Sequence, residues 1–252
     1  MSIHISSILE LDDLHNEITW NDDDYSKFSS LFLTNNRLFN VLKRIGYKAA
    51  IGVAVTLIEL IQKRSKKLFP FIDVTKEFDS KIESLWAGAI DPLYLKTWDY
   101  GDDYYDENGD ATVYAADWYI MYFLINEYMA GTFCVHRYLV NLSMIARHLT
   151  PDKKLFDKWF AEIIRKTSEE FPCTYDYADL NFDDKDAKYD CSVDAPIPRE
   201  FFFDPEFKYS EETAKSVLNI FLQSLDYNNN PWLCTPEEML KKGFKGTPYK
   251  VE

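Results

Sequence analysis

Apolar residues recur along this chain at three- and four-residue intervals, the period of a helix laid against a core. Phe28, Leu31, Phe32, Leu38, Phe39, Leu42 and Ile45 form one such stripe, which predicts a helix over 25–45 closed by Gly46. A second helix is expected over about 48–65, and its middle, 49–61, is almost wholly apolar. That run is too short to cross a membrane and reads as a buried core helix. The same periodicity predicts helices near 76–89, 113–130, 133–148, 152–170 and 211–225, with a short one near 236–242.

Capping chemistry supports several of these starts. Thr150-Pro151-Asp152 and Thr235-Pro236-Glu237-Glu238 each place a Thr before a Pro at the first helical position, and the second adds the acid of a capping box. Ser210-Glu211-Glu212 sets a cap and two acids at the positive end of a helix dipole. No convincing strand-period segment appears. Two stretches lack helical signals, about 91–111 and 172–209. The second is too long for an ordinary connection and carries apolar pieces at 195–198 and 201–205 that would pin it to the body. The expected fold is all-α: one domain over 1–252, a multi-helix bundle or irregular stack of helical hairpins with two long loops. No repeated motif supports a true solenoid.

Composition sharpens this picture. A chain of 252 residues that is 46% hydrophobic and 28% charged has enough apolar surface to fold, which excludes a disordered or low-complexity protein. Its 42 acids outnumber its 28 Lys and Arg, for a net charge of −14. Duplex nucleic acid and anionic membranes are held mainly by basic side chains, so neither is an expected partner. A basic protein is the natural complement. The acids are also clustered. Residues 10–24 hold seven acids and no base, 99–110 hold six and no base, and 169–190 hold eight against Lys185 and Lys188. Half the acid thus lies in a fifth of the chain. In the opposite sense, residues 37–67 carry eight bases against Glu59 alone, which leaves open a contact with an acidic partner.

The four cysteines, Cys134, Cys173, Cys191 and Cys234, have neither zinc-finger nor CxxC spacing and are too sparse for a disulfide scaffold. The first residues lack the basic and apolar regions of a secretory signal. Free thiols in the cytoplasm are expected.

Candidate catalytic groups are few. His4, His15, His136 and His148 fit no metal-ligand spacing, and no Gly-rich phosphate loop or GxSxG elbow occurs. The stretch 106–117 has oxygen ligands at the spacing of a calcium loop, through Asp106, Asn108, Asp110 and Asp117. Ala111 stands where that loop's sharp turn needs Gly, and Asp117 replaces the longer Glu. Asp226, Asn228, Asn230 and Glu237 repeat the spacing with Pro231 at the Gly position. Asp102-Asp103-Tyr-Tyr-Asp106 matches a magnesium-binding DDxxD string but has no partner motif. Glu127 and Arg137 sit on successive apolar helices and are expected to pair structurally. The expectation is a non-enzymatic protein with no cofactor. A metal-dependent enzyme using Asp106, Asp110 and Asp117 is the less favoured alternative.

The aromatics point elsewhere. Six Trp, 17 Tyr and 18 Phe make up 16% of the chain. Most belong in a core, but Trp98, Tyr100, Tyr104 and Tyr105 interleave with Asp99, Asp102, Asp103, Asp106 and Glu107 in a segment without helical signals. Tyr175 and Tyr177 alternate with Asp176 and Asp179 in the other long loop. Tyr and Trp anchor interfaces at low entropic cost and attract Lys and Arg to their faces, while acids steer the same cations. These thirteen residues are the candidate partner-binding set.

A cytoplasmic, acidic, aromatic-rich helical chain of this kind resembles the immunity proteins of bacterial toxin–immunity pairs. The endings Asn230-Pro231-Trp232-Leu233, Pro236-Glu237-Glu238-Met239-Leu240 and 243–249 (GFKGTPY) share that look, as does 196–202. The resemblance implies tight stoichiometric binding and inhibition of a cognate toxin, and carries over no individual residue. A helical adaptor or scaffold for another protein partner would look the same in sequence.

Overall fold

In a computed structural model, residues 20–28, 35–68, 75–96, 113–133, 135–175 and 188–252 are described. The described chain forms α1 (Asp22–Phe28), α2 (Asn36–Leu42), α3 (Tyr47–Leu68), α4 (Thr75–Ile90), α5 (Val113–Ala130), α6 (Val135–His148), α7 (Lys153–Glu170), α8 (Glu200–Phe203), α9 (Glu211–Ser224) and α10 (Pro236–Lys241). Two 3-10 turns, Pro92–Tyr94 and Cys191–Val193, lie between them. Among the described residues the only β pairing is two isolated bridges, Ile45 with Pro172 and Leu95 with Leu233. The all-α expectation is met.

Helix α3 runs through the middle of the fold because it is apolar nearly all round, so no face of it can be left to water. Ile51, Val53, Ala54, Val55, Leu57, Ile58 and Leu60 are all buried. Helices α4, α5, α6 and α8 pack on it, and α2 and α7 reach it through α6. Gly52 permits the closest approach. A Cβ there would stand 2.4 Å from the Phe202 ring, so α8 can press on α3 only at a residue without a side chain. A second apolar cluster joins Ala87, Ile90 and Tyr94 to Ala214, Leu218, Leu222, Leu233, Met239 and Tyr249, and Tyr209 and Phe221 pack against both clusters.

The sequence placed most helix ends within one or two residues. It erred in two places. The stripe over 25–45 is not one helix, because Asn35 caps a new one, its side chain accepting from Leu38 N–H at 3.1 Å. The α7 cap is Asp152 rather than Thr150. Asp152 accepts from Leu155 N–H at 2.9 Å, while the Thr150 hydroxyl turns back to the Ala146 carbonyl. The Thr235–Glu238 capping box and the Ser210 cap form as expected. Within the long irregular stretch 172–209 the chain makes a 3-10 turn and the short α8, and Ile197, Phe201 and Phe202 bury themselves as anticipated. No helix among the described residues is long and apolar enough to cross a membrane.

Candidate interaction surface

Helix α5 ends in a tight cap that organises the surface around it. Gly131 takes φ +72°, its N–H donates to the Tyr128 carbonyl, and Thr132 N–H reaches back to Glu127. That pair of bonds is a Schellman closure, which needs a left-handed residue and so favours glycine. The Gly131 carbonyl then accepts Tyr189 N–H at 2.8 Å. The Glu127 carboxylate accepts from the Thr132 hydroxyl, which adds a side-chain bond to the cap.

Around this cap the tyrosines stack. Tyr47, the first residue of α3, lies against Tyr189 at 4.5 Å between ring centroids and against Tyr128 at 5.9 Å, and its hydroxyl donates to the Thr132 carbonyl at 2.8 Å. Tyr175 is half-buried. Its ring meets Phe133 edge-on at 5.0 Å and Tyr189 at 5.3 Å. Of the thirteen candidate residues Tyr175 alone falls within the described chain. Trp98, Asp99, Tyr100, Asp102, Asp103, Tyr104, Tyr105, Asp106, Glu107, Asp176, Tyr177 and Asp179 lie outside it. Tyr175 and Tyr189, the tyrosines on either side of the acid-rich sequence 176–188, are in ring contact.

The returning strand of chain is fixed from below. Tyr189 donates its hydroxyl to Asp194 at 2.7 Å. Lys48, only 5% exposed, donates its backbone N–H to the Asp194 carboxylate at 3.0 Å and its ammonium to the Asp194 carbonyl at 2.9 Å. Burial lowers the Lys48 pKa, against the pull of Cys191, Asp91, Asp194 and Asp190. Burial likewise pushes the Tyr189 phenol up to about 12, and its bond to Asp194 adds to this. The Cys191 thiol is raised by burial, which describes a packed rather than an activated cysteine. Cys173, Cys191 and Cys234 are free thiols.

Sequence reasoning missed the main buried ionic centre. Glu59, 5% exposed on α3, accepts from Arg199 Nε at 2.9 Å and Nη2 at 2.5 Å, from Lys63 at 2.6 Å and from the Trp86 indole at 3.0 Å. Burial opposes its charge, but Arg199 and Lys63 hold the carboxyl below its ordinary range. The Arg199 guanidinium also lies 4.0 Å over the Phe203 ring. One signal was visible: a lone acid in an otherwise apolar helix must find cations. Within the basic stretch 37–67, Lys48 and Arg64 are buried, Lys63 is bound to Glu59 and Lys66 pairs with Asp79, while Arg37 and Arg44 are exposed.

Two hollows flank α8, one lined by Trp86, Ile197, Arg199 and Phe221, the other by Trp159, Ile163, Lys166 and Phe203. Each holds about 40 Å³, room for a few waters rather than a substrate. Among the described residues no three His, Cys, Asp or Glu side chains come together as metal ligands. Asp106 and Asp110 lie outside the described chain, and the backbone is helical from Val113 through Asp117. The second calcium-like spacing has a structural use, since Asn230 donates to the Ser80 carbonyl at 2.8 Å and Asp226 accepts from Asn229 at 2.6 Å. His136 is buried against the Ile45 carbonyl at 2.8 Å and is a packed side chain. No protein-family model, curated protein or solved structure matches this chain.

Proposed function

We propose that this protein is a non-enzymatic cytoplasmic inhibitor that neutralises a cognate bacterial toxin by stoichiometric binding. The supporting observation is the clasp of Tyr175 and Tyr189, whose rings lie 5.3 Å apart on the α5–α6 corner. The sequence between these two rings is rich in acids and includes Tyr177, the composition expected of a surface that captures cations on a protein partner. The acidic segment 98–107 supplies the rest of the face, including Trp98, Asp102, Asp103 and Asp106. The partner is a toxin with a basic surface, such as a nuclease whose substrate cleft the inhibitor covers.

The test is a tagged pull-down from the native host, washed at low and at high salt. A basic toxin-like protein held at about one to one, and released by salt, supports the reading. The triple variant Asp102→Lys, Asp103→Lys, Asp106→Lys should bind more weakly and with a shallower salt response, and unchanged affinity removes that segment from the interface. Recovery of a housekeeping complex instead makes the protein an adaptor.

A further inference from the structure

Helix α10 is short and pinned at both ends. In front, Thr235 and Glu238 form the capping box, and Cys234 stands one residue before it. Behind, Lys242 closes the helix and Gly243 takes φ +92°. Gly243 N–H donates to the Leu240 carbonyl at 3.0 Å and Phe244 N–H to the Met239 carbonyl at 3.0 Å. That is a Schellman closure, and it fixes the backbone of Lys242. Side chains on a helix lean toward its N-terminus, so the lysine stem runs back along α10 to the cysteine that precedes it. The Lys242 ammonium donates to the Cys234 sulfur at 3.2 Å.

Leu95 holds the pair from a third side. Its carbonyl accepts from the Lys242 ammonium at 2.8 Å and from the Cys234 thiol at 3.3 Å. Cys234 is also tied through its backbone. Its N–H donates to the Tyr94 carbonyl at 2.8 Å, and its carbonyl accepts the Tyr249 hydroxyl at 2.6 Å. Sulfur and nitrogen therefore meet with little freedom to part. Their surroundings differ, because Cys234 is fully buried while Lys242 is exposed. Thiol–disulfide exchange needs access for a second thiol, which a buried sulfur denies. Dioxygen is small and apolar and can enter, and the sulfur it oxidises faces the lysine nitrogen.

We propose that Cys234 and Lys242 form an oxidative crosslink site, in which a single oxygen atom bridges Sγ and Nζ. The inference stands apart from the proposed function. Its co-reactant is dioxygen. The lysine first releases its ammonium proton to water. The S–H bond, one N–H bond and the O–O bond then break, while an S–O and an N–O bond form. Sulfur and nitrogen lose two electrons each, dioxygen accepts all four, and its second oxygen atom leaves as water with the two hydrogens. A thiol reductant returns four electrons and four protons, restoring the thiol and the amine and releasing the bridging oxygen as water. The bridge turns a hydrogen bond into a covalent staple across α10, at the edge of the second apolar cluster, to which Cys234, Met239 and Tyr249 belong.

The test holds the reduced full-length protein in air or under argon, then alkylates, digests and weighs its peptides by mass spectrometry. In air alone, the peptides bearing Cys234 and Lys242 should appear joined, heavier than their sum by one oxygen less two hydrogens, and excess dithiothreitol should free them. Lys242→Arg keeps the charge and should abolish the adduct. The bridged protein should melt above the reduced one, because a crosslink restricts the unfolded chain, whereas Lys242→Arg should melt alike in both gases. Cys234 recovered wholly as the alkylated thiol, as a sulfinic or sulfonic acid, or in a disulfide overturns the proposal. So does a link to Lys241 or Lys245, an adduct that survives dithiothreitol as the isomeric sulfinamide would, or one melting temperature for the parent in both gases.

Discussion

Lys48 holds Asp194 at two points, backbone N–H to carboxylate at 3.0 Å and ammonium to carbonyl at 2.9 Å, across 146 residues of chain. This pair joins the start of the central helix to the turn that bears Val193. A buried lysine is tolerated only when its charge is answered, and the carboxyl groups of Asp91, Asp194 and Asp190 do so here.

Lys48→Met should therefore destabilise the protein by about 2–3 kcal/mol, since it strands the Asp194 carbonyl and removes the counter-charge. Urea denaturation measures it. A change below about 0.5 kcal/mol would mean that the turn is held by other contacts.

The Glu59 centre predicts a cycle. Glu59→Ala leaves Arg199 without its carboxylate and should cost about 3–5 kcal/mol. Glu59→Leu combined with Arg199→Met should recover most of that, because an apolar pair of similar volume carries no desolvation penalty. Strict additivity of the two single changes would contradict the coupling.

Gly52→Ala places a methyl group 2.4 Å from a ring carbon of buried Phe202. Despite the gain in helix propensity, a net loss of about 1–3 kcal/mol is expected, partly relieved by Phe202→Leu. A stabilised Gly52→Ala protein, read by thermal melting, would show that α8 shifts freely on α3.

His136 gives a pH dependence. Burial lowers its pKa from 6.5 to about 4 in the folded protein, so the folded state favours the neutral ring and the unfolded state binds the proton first. The stability this confers is present above pH 6.5 and is lost progressively as pH falls toward 4, by up to about 3 kcal/mol. The Glu59 carboxyl, depressed below 4.5, contributes its own loss only at lower pH. Denaturation midpoints between pH 7 and 4.5 follow this loss, and His136→Phe should flatten the slope relative to the parent.

How much of this was legible in the sequence depended on range. Local signals carried α4 to α7, α9 and α10, because period and caps act within a few residues. The buried run at 49–61 declared the central helix for the same reason. Asn35 was overlooked because a stripe of Leu and Phe on both sides hides a polar cap between them. The Glu59–Arg199 bond spans 140 residues and the Lys48–Asp194 bond 146, and no local pattern encodes such a meeting. Of the candidate partner set, Tyr175 is expected in a binding loop from sequence, and the fold adds its ring contacts with Phe133 and Tyr189, which no local pattern encodes.

The Tyr175–Tyr189 contact also has a meaning for how such a protein diversifies. With both ends of the intervening stretch already fastened, the cost of closing it grows only with the logarithm of its length. A longer or shorter sequence between the two rings would therefore cost little, so change can concentrate there.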